Sequence, residues 1–561
     1  MMINPREAVR SSALYAPIRR WRLDWLTKRK NVYPDWEILL KGCEHIWQKH
    51  KHKKTGPRIA IATSLGLSFT SNTIDSLMAV ALKSRGAQVE LLYCDGVLPA
   101  CQILDHQLVP NYSRLIEKGP QHDFCSVCTS AAERCVLPLG LTIRKFSEYI
   151  TEADKVASLD FASKYSVDLN STSEDARIVH AKAGALRFLG RAIFQPNDEA
   201  IYGRYLAAAY LSDIAASNIF KAHNYDVVVA HHGIYVPQGP IAHVVKDSGI
   251  RLVTWHPAYR NKSLIFQHDG TYHKMMISES TQAWDEIELT AEQDDELDKY
   301  LKSRETGAED WISFQRRKPE SEQALRAELG IEIDKNITLL AANVAWDACL
   351  HYPESAFGNM VDWAIETVEW FNENPDEHLI VRCHPGEVIT QPAAQDRLDN
   401  ALVEAFPNMP ENVTIITPEM ETNTYALARL SKRTVIFNTK MGMELTAFGF
   451  PVIVAGDAWI RGKGFSYDAN SSESYIALLN NDKTYLPLTS EQMARARRYA
   501  YHFFFRRCIP VQALDDHGWP LASLSSTAFK QAQPGKDLGL DIICAGIIGG
   551  KPFEYESARH S

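Results

Sequence analysis

The most concentrated chemistry in the chain lies in 437–454, FNTKMGMELTAFGFPVIV. Phe437 closes an apolar run and a polar turn follows. A helix beginning near Met441 would aim free backbone N–H groups past the strand end, where phosphate is the natural guest. Thr439 adds a hydroxyl donor, Lys440 a point charge and Gly442 a place in the same turn. Glu444, one turn on, is suited to accept ribose or sugar hydroxyls. In 457–465, DAWIRGKGF, Arg461 and Lys463 sit among glycines after another apolar run and read as a second anion clamp. In 381–387, VRCHPGE, Pro385 biases His384 toward an extended backbone that turns its imidazole out of the strand end, with Glu387 close behind. The plain alternatives are a capped helix start, exposed charge, and a hydrogen-bonded structural histidine beside a solvated carboxylate.

The first half has its own set. In 63–75, TSLGLSFTSNTID, a hydroxyl-rich turn around Gly66 can approach a sugar or phosphate through backbone N–H groups. In 230–237, AHHGIYVP, His231, His232 and Tyr235 follow a strand-like run, where an imidazole can serve as base or bind a hydroxyl. His256 and Arg260, in WHPAYR, repeat that placement as ligand-wall residues. Asp75 and Asp95 are the carboxylates near strand ends available as base or nucleophile. Ordinary strand-to-helix connections and structural histidines are the competing readings. Cys125-Ser-Val-Cys128 forms a C-x-x-C knuckle that Cys94 and Cys101 can complete around zinc or an iron–sulfur cluster. The wide 94–101 spacing is against a second knuckle, and a redox pair or buried thiols, Cys135 included, are the alternatives. No Asp-x-Asp signature is present, so no catalytic divalent ion is required.

These groups need strand ends to hold them. Apolar β-branched runs recur at 58–63, 88–93, 226–230 and 251–255, and again at 337–342, 378–382, 413–416, 434–437 and 451–455. Helix-length stretches separate them, which is the pattern of parallel α/β layers, and two Rossmann-like sheets in tandem are expected. Open sheets of this kind bind ligands beyond the carboxyl ends of their strands, here in a crevice between two lobes. The expected organisation is a basic extension at 1–56, a first Rossmann-like domain at 57–275, an acidic helical linker at 276–335, a second Rossmann-like domain at 336–487, and a helix with tail at 488–561. Within the linker, Leu289, Leu297, Tyr300 and Leu301 fall at broadly helical spacing after a Thr290 cap.

A chain of 561 residues with 45% hydrophobic and 23% charged residues builds several cores and is not disordered. No apolar run reaches the roughly 20 residues of a membrane span, and ten cysteines are too dilute for a disulfide scaffold. The N-terminal stretch lacks a secretory design, so a cytoplasmic location is expected. Net charge is −9, yet residues 1–60 hold 14 Lys/Arg against 5 Asp/Glu, interleaved with Trp21, Trp25 and Trp36. Such an arm either packs on the body or rests on an anionic membrane face. Nucleic acid is the weaker partner, because the remainder of the chain is acidic.

The second half resembles the capsule polysaccharide biosynthesis family of GT-B glycosyltransferases, which includes Kdo transferases, and more loosely the bacterial sialyltransferases that share a His-Pro element. The matching segments are NVAWD (343–347), RCHPGE (382–387), NTKMGME (438–444), GFPV (449–452) and GKGF (462–465). The resemblance covers 335–480, and 57–270 only in layout. It implies a GT-B fold, α/β with two Rossmann-like domains facing a central cleft, and no cofactor. It further implies a nucleotide-sugar donor, with CMP-Kdo favoured, on the second domain at His384, Thr439, Lys440, Glu444 and Lys463, to which Glu387, Gly442 and Arg461 are added as donor-binding candidates by their own positions. The acceptor glycan then falls to the first domain, at Gly66, Tyr235, His256 and Arg260, with Asp75, Asp95, His231 and His232 as catalytic candidates. A nucleotide-sugar epimerase of the same fold and a non-catalytic capsule-assembly component are the rival expectations.

Overall fold

The computed structural model describes residues 15–28, 32–53, 55–169, 173–311, 313–314, 317–332, 335–347, 355–515 and 522–556. The chain divides into two compact units. The first comprises Met1–Leu189, Phe194–Tyr272 and Arg507–Ser561, the second Gly190–Ile193 and His273–Arg506. The acidic segment therefore belongs to the second unit and the tail returns to the first.

Each apolar run becomes a strand within about two residues of its expected ends. The first unit contains β1 (Arg58–Ser64), β2 (Gln88–Tyr93), β3 (Thr142–Lys145), β4 (Val227–His231), β5 (Arg251–Pro257) and β6 (Ser263–His268). The second contains β7 (Asn336–Ala341), β8 (Glu377–Arg382), β9 (Val413–Ile416), β10 (Arg433–Ile436), β11 (Val452–Val454) and β12 (Tyr467–Asp468), after which β13 (Ile509–Pro510) rejoins the first sheet. Branched apolar side chains make these runs strands because helices cover both faces: all five β4 residues and all three of β11 are buried.

The first sheet is ordered β13-β6-β5-β4-β1-β2-β3. Strands β1 to β5 run parallel, while β6 lies antiparallel on β5 and β13 on β6. The second, β12-β11-β10-β7-β8-β9, is parallel throughout. In both, the chain first winds outward from the founding strand and then restarts on its other side. That places a topological switch point between β1 and β4 in the first unit and between β7 and β10 in the second, where ligands of doubly wound sheets bind. Two α/β bodies of Rossmann-like layout are thus present.

Other elements follow their local chemistry. The helix Ala291–Arg304 begins at Thr290, whose hydroxyl and Gln293 form a reciprocal cap, and it buries Leu297, Tyr300 and Leu301. The basic arm is split in its roles. Trp36 and Trp47 are fully buried in the first unit, whereas the helix Tyr15–Lys28 exposes Ile18, Trp21 and Trp25. Residues 1–14 of the arm lie outside the described residues. Among the described residues no helix is long and apolar enough to cross a membrane.

Candidate functional site

In the second unit the residues just past β7, β8 and β10 converge on the switch point. Asn343 Nδ2 donates to Asn438 Oδ1 at 3.1 Å, bridging the ends of β7 and β10. His384 follows β8, and the Gly386 N–H donates to its Nδ1 at 2.9 Å, which assigns the ring proton to Nε2. The Phe314 ring stands edge-on at 4.7 Å. Burial, then the charges of Arg382 and Lys440, push the imidazole down to about 3, so at neutral pH it is an uncharged Nε2–H donor.

Lys440 is held from below. Its Nζ lies 2.8 Å from Glu444 Oε1, which also takes Arg304 Nε at 2.8 Å, while the Tyr425 hydroxyl donates to Oε2. Arg304 extends the network to Asp310 Oδ2 at 2.5 Å, and Tyr300 donates to Asp310 Oδ1 at 2.8 Å. Burial alone would raise the Glu444 carboxyl, but Arg304 and Lys440 more than offset it and hold the group below the usual carboxylate range. With both oxygens engaged, Glu444 fixes Lys440 rather than reaching outward to sugar hydroxyls.

The remaining expected donor residues are placed differently. Thr439 Oγ1 accepts from the Met441 N–H at 3.4 Å, where a helix, Met441–Ala447, of only seven residues begins. Gly442 serves packing: a Cβ there would stand 2.5 Å from Ile436 Cδ1 and 2.8 Å from Ile460 Cδ1. Arg461 is turned inward, donating to the carbonyls of Gly456 at 2.9 Å and Ala469 at 2.7 Å and to Asn470 Oδ1 at 2.9 Å, so it braces its own turn. Lys463 donates to Ile277 O at 3.3 Å and lies 4.9 Å over the Tyr499 ring, and burial lowers it to about 8. Glu387 is fully buried, and its Oε1 accepts from the Leu398 N–H at 3.1 Å.

At the switch point of the first unit, Ser64 (φ +62°) and His232 (φ +36°) flank the gap, two of four non-glycine residues with left-handed backbone among the described residues. Such backbone costs on the order of 1–3 kcal/mol per residue and persists where the surroundings enforce it. His232 accepts from the Ile234 N–H at Nδ1 (3.0 Å) and pairs through Nε2 with Gln102 Oε1 (2.8 Å). His231 stacks on His256 at 5.4 Å and packs on Trp255 at 4.8 Å, and its buried Nδ1 has no hydrogen-bond partner among the described residues. Burial, then His256, keeps His231 neutral. Tyr235 packs edge-on to His232 at 5.4 Å, and the Arg187 guanidinium lies 5.5 Å from its ring centre. Arg260 lies further out, in the turn joining β5 to β6.

Neither carboxylate candidate joins these histidines. Asp75 is 1% exposed and accepts from the Trp255 indole at 2.9 Å. Asp95 Oδ1 accepts from the Ser147 N–H at 3.1 Å, anchoring the turn Phe146–Tyr149. What crowds the Gly66 α-carbon is protein, since a Cβ there would stand 1.8 Å from the Cys128 carbonyl oxygen. Of the four cysteines weighed as ligands, Cys125 packs on Gly96 in the loop after Cys94, where a Cβ would stand 2.9 Å from its own, and Cys128 Sγ accepts from the Leu67 N–H at 3.4 Å. Among the described residues no group of three or more His, Cys, Asp or Glu is arranged to hold a metal ion.

Sequence reasoning missed Arg304, Asp310 and Tyr425, which hold Lys440 from elements distant in sequence, and Gln102, which fixes His232. Only the Asn343 and Asn438 segments carried a local signal.

No protein-family model matches the chain, and no curated protein matches it in sequence. Among solved structures it is similar to the beta Kdo 2,4 transferase KpsC of Thermosulfurimonas dismutans, at 15% identity over 55% of this chain and 87% of that one, TM-score 0.34. The beta Kdo 2,7 transferase KpsC of the same organism matches at 11% identity over 50% and 79%, TM-score 0.30. An α,α-trehalose 6-phosphate synthase from Burkholderia multivorans matches at 12% identity over 79% and 94%, TM-score 0.32. Likenesses this remote leave the function to the site's own geometry.

Proposed function

We propose that the protein is a glycosyltransferase that takes a nucleotide-activated sugar, CMP-Kdo in first place, and adds the sugar to a capsular or surface glycan. The observation that carries this reading is the Lys440 ammonium, held by Glu444 at 2.8 Å just past β10, with His384 as an Nε2–H donor just past β8 of the same all-parallel sheet. A neutral donor beside a fixed cation is suited to a phosphate whose charge grows as the nucleotide leaves. Asn343 and Asn438 offer amide and carbonyl groups for the sugar or base alongside. The acceptor falls to the first unit, where His231, with its Nδ1 lone pair unengaged among the described residues, is the group at the switch point suited to take a proton from an attacking hydroxyl, and His232, fixed by Ile234 and Gln102, positions it. Capsular glycans grow at a membrane, and the helix Tyr15–Lys28 exposes Ile18, Trp21 and Trp25 together with Arg20 and Arg22 for contact with anionic lipid. Trp21→Ser, at a 68% exposed position, is expected to lose co-sedimentation with phosphatidylglycerol vesicles while still folding.

The test of the donor site is a thermal-shift titration with CMP, CDP, UDP and GDP. A ligand at a hundredfold excess over its dissociation constant stabilises the folded state by about 2.7 kcal/mol. A CMP response that Lys440→Ala abolishes is expected. Silence from all four nucleotides refutes the reading, and a response to UDP alone replaces the donor. Turnover of a nucleotide-sugar without acceptor would mean an epimerase.

A further inference from the structure

Three uncharged side chains at the switch point of the second unit carry hydrogen-bonding groups that the chain leaves unpaired. The Ala342 N–H donates to Arg382 O at 3.1 Å, so the chain leaving β7 still lies against β8 when it reaches Asn343. There the Asn343 N–H donates to Met360 Sδ at 3.3 Å, and its side-chain amide crosses to Asn438, two residues past β10. Val344 packs on the His384 turn: a Cβ on Gly386 would stand 2.9 Å from Val344 Cγ2 and 2.6 Å from His384 Nδ1. The Asp347 N–H then closes a turn on Val344 O at 3.2 Å, and Trp346 lies within that turn. One short segment thus touches both the His384 turn and the Asn438 turn and carries Trp346 with it.

The bond between the two asparagines uses one N–H and one carbonyl. Neither amide has a further partner among the described residues, so one carbonyl oxygen and several N–H groups remain, on side chains that are half-buried rather than enclosed. Exchanging oxygen and nitrogen in both amides leaves the same remainder, so the inventory does not depend on their assigned orientation. Trp346 adds a donor only: it is 8% exposed, and its indole N–H has no hydrogen-bond partner among the described residues. A buried donor without an acceptor is disfavoured in the folded chain, and a bound acceptor satisfies it. Together the three side chains present donors in excess of a single carbonyl oxygen.

We propose that Asn343, Asn438 and Trp346 read the base of the bound nucleotide and select a pyrimidine over guanine. On its pairing edge a pyrimidine offers two acceptors and one donor group: O2, N3 and the N4 amino group in cytosine, O2, O4 and N3–H in uracil. Donors in excess of one carbonyl match that edge. Guanine offers the reverse, O6 as acceptor with N1–H and the N2 amino group as donors, so one of its donors would meet no acceptor among these side chains. Leaving a buried polar group unpaired in this way discriminates far more strongly than a small difference in apolar contact. The inference rests on the donor reading, in which Lys440 and His384 take the phosphate, and it assigns the neutral groups of the same strand ends to the base.

The experiment is isothermal titration of the full chain with CMP, UMP and GMP, whose phosphates are alike and whose bases differ. CMP or UMP is expected to bind at least about tenfold more tightly than GMP. Trp346→Phe and Asn438→Ala should each bring that ratio below about threefold, through weaker pyrimidine binding and with GMP little changed. GMP bound as tightly as both pyrimidines overturns the proposal. So do variants that keep the parent's ratio, whether they bind like the parent or weaken all three nucleotides in the same proportion. A wild-type chain that binds none of the three refutes the donor reading itself, and this inference with it. Asn438→Ala decides the matter if Trp346→Phe fails to fold.

Discussion

Replacing Asp75 with asparagine separates a buried neutral acid from an ionised catalytic one. Asp75 is 1% exposed, one oxygen accepts from Trp255 at 2.9 Å, and Oδ2 has no partner of good hydrogen-bond geometry. Burial, offset only in part by the Thr63 hydroxyl and the Trp255 indole, pushes the carboxyl from 3.8 up to about 8. A raised folded-state value means that the native protein keeps a proton which the unfolded chain releases. The stability contribution is therefore complete below pH 4 and is lost as pH rises through the window to 8. At about 1.4 kcal/mol per unit, the loss amounts to ~4 kcal/mol by pH 7 and ~6 kcal/mol by pH 9. Asparagine keeps the acceptor for Trp255 and does not titrate, but it introduces a buried amide donor whose cost is about 1–3 kcal/mol. Asp75→Asn is thus expected to be the less stable protein near pH 4 and the more stable by about 3 kcal/mol at pH 9. Urea midpoints of the first unit, followed by hydrogen exchange of β1 and β4 at pH 4.5, 7 and 9, measure the crossover. A constant difference across that range refutes the reasoning, because it would mean that the native carboxyl titrates like the unfolded one.

Glu387 poses the same question in the second unit: burial raises its carboxyl to about 7, so Glu387→Gln should add 1–2 °C or more to the melting temperature at pH 8 and little at pH 5, and a pH-independent shift would contradict this. Glu444→Gln takes from Arg304 and Lys440 the buried carboxylate they share, while Asp310 still faces Arg304, and is expected to cost about 3–5 kcal/mol, with a double-mutant cycle against Arg304→Met giving a coupling above ~1 kcal/mol; additive losses would dissolve the network. Gly66→Ala would drive a methyl onto the Cys128 carbonyl, and a loss of ~3 kcal/mol or more is expected by chemical denaturation, so a melting curve like the parent's would exclude the close packing drawn between that turn and the helix Ser126–Val136.

What the sequence revealed, and what it hid, divides along the range of the forces involved. Strands β1, β2, β4, β5 and β7 to β11 announce themselves because burial on both faces demands an unbroken branched apolar run, and such a run is a local property. The edge strand β3, TIRK, reads as polar because only one neighbour covers it, and its Arg144 is neutralised by Glu90 at 2.8 Å, far off in sequence. The tail helix Leu538–Gly549 reads as broken by glycine, yet at Gly546 a Cβ would stand 2.2 Å from the Phe553 ring, so that glycine fits a neighbour rather than a turn.

The same division governs the site. His384 and Lys440 were legible because each immediately follows a strand, and strand ends are where a parallel sheet presents its chemistry. Glu444 and Arg461 carried the same local mark, and the fold spends them inward: their partners, Arg304 and Tyr425 in one case and the carbonyls of Gly456 and Ala469 in the other, are set by tertiary packing. A charge beside a strand end is consequently evidence of position, and only its count of satisfied hydrogen bonds separates a group that meets a ligand from one that holds its neighbour. Lys440 is the group to substitute first, because its side chain keeps 18% of its surface exposed against 1% for the Glu444 that orients it. Lys440→Met, which keeps the stem and removes the charge, should cost nucleotide binding tenfold or more with a smaller loss of stability than Glu444→Gln; the reverse order would make Lys440 part of the brace and leave His384 without its cation.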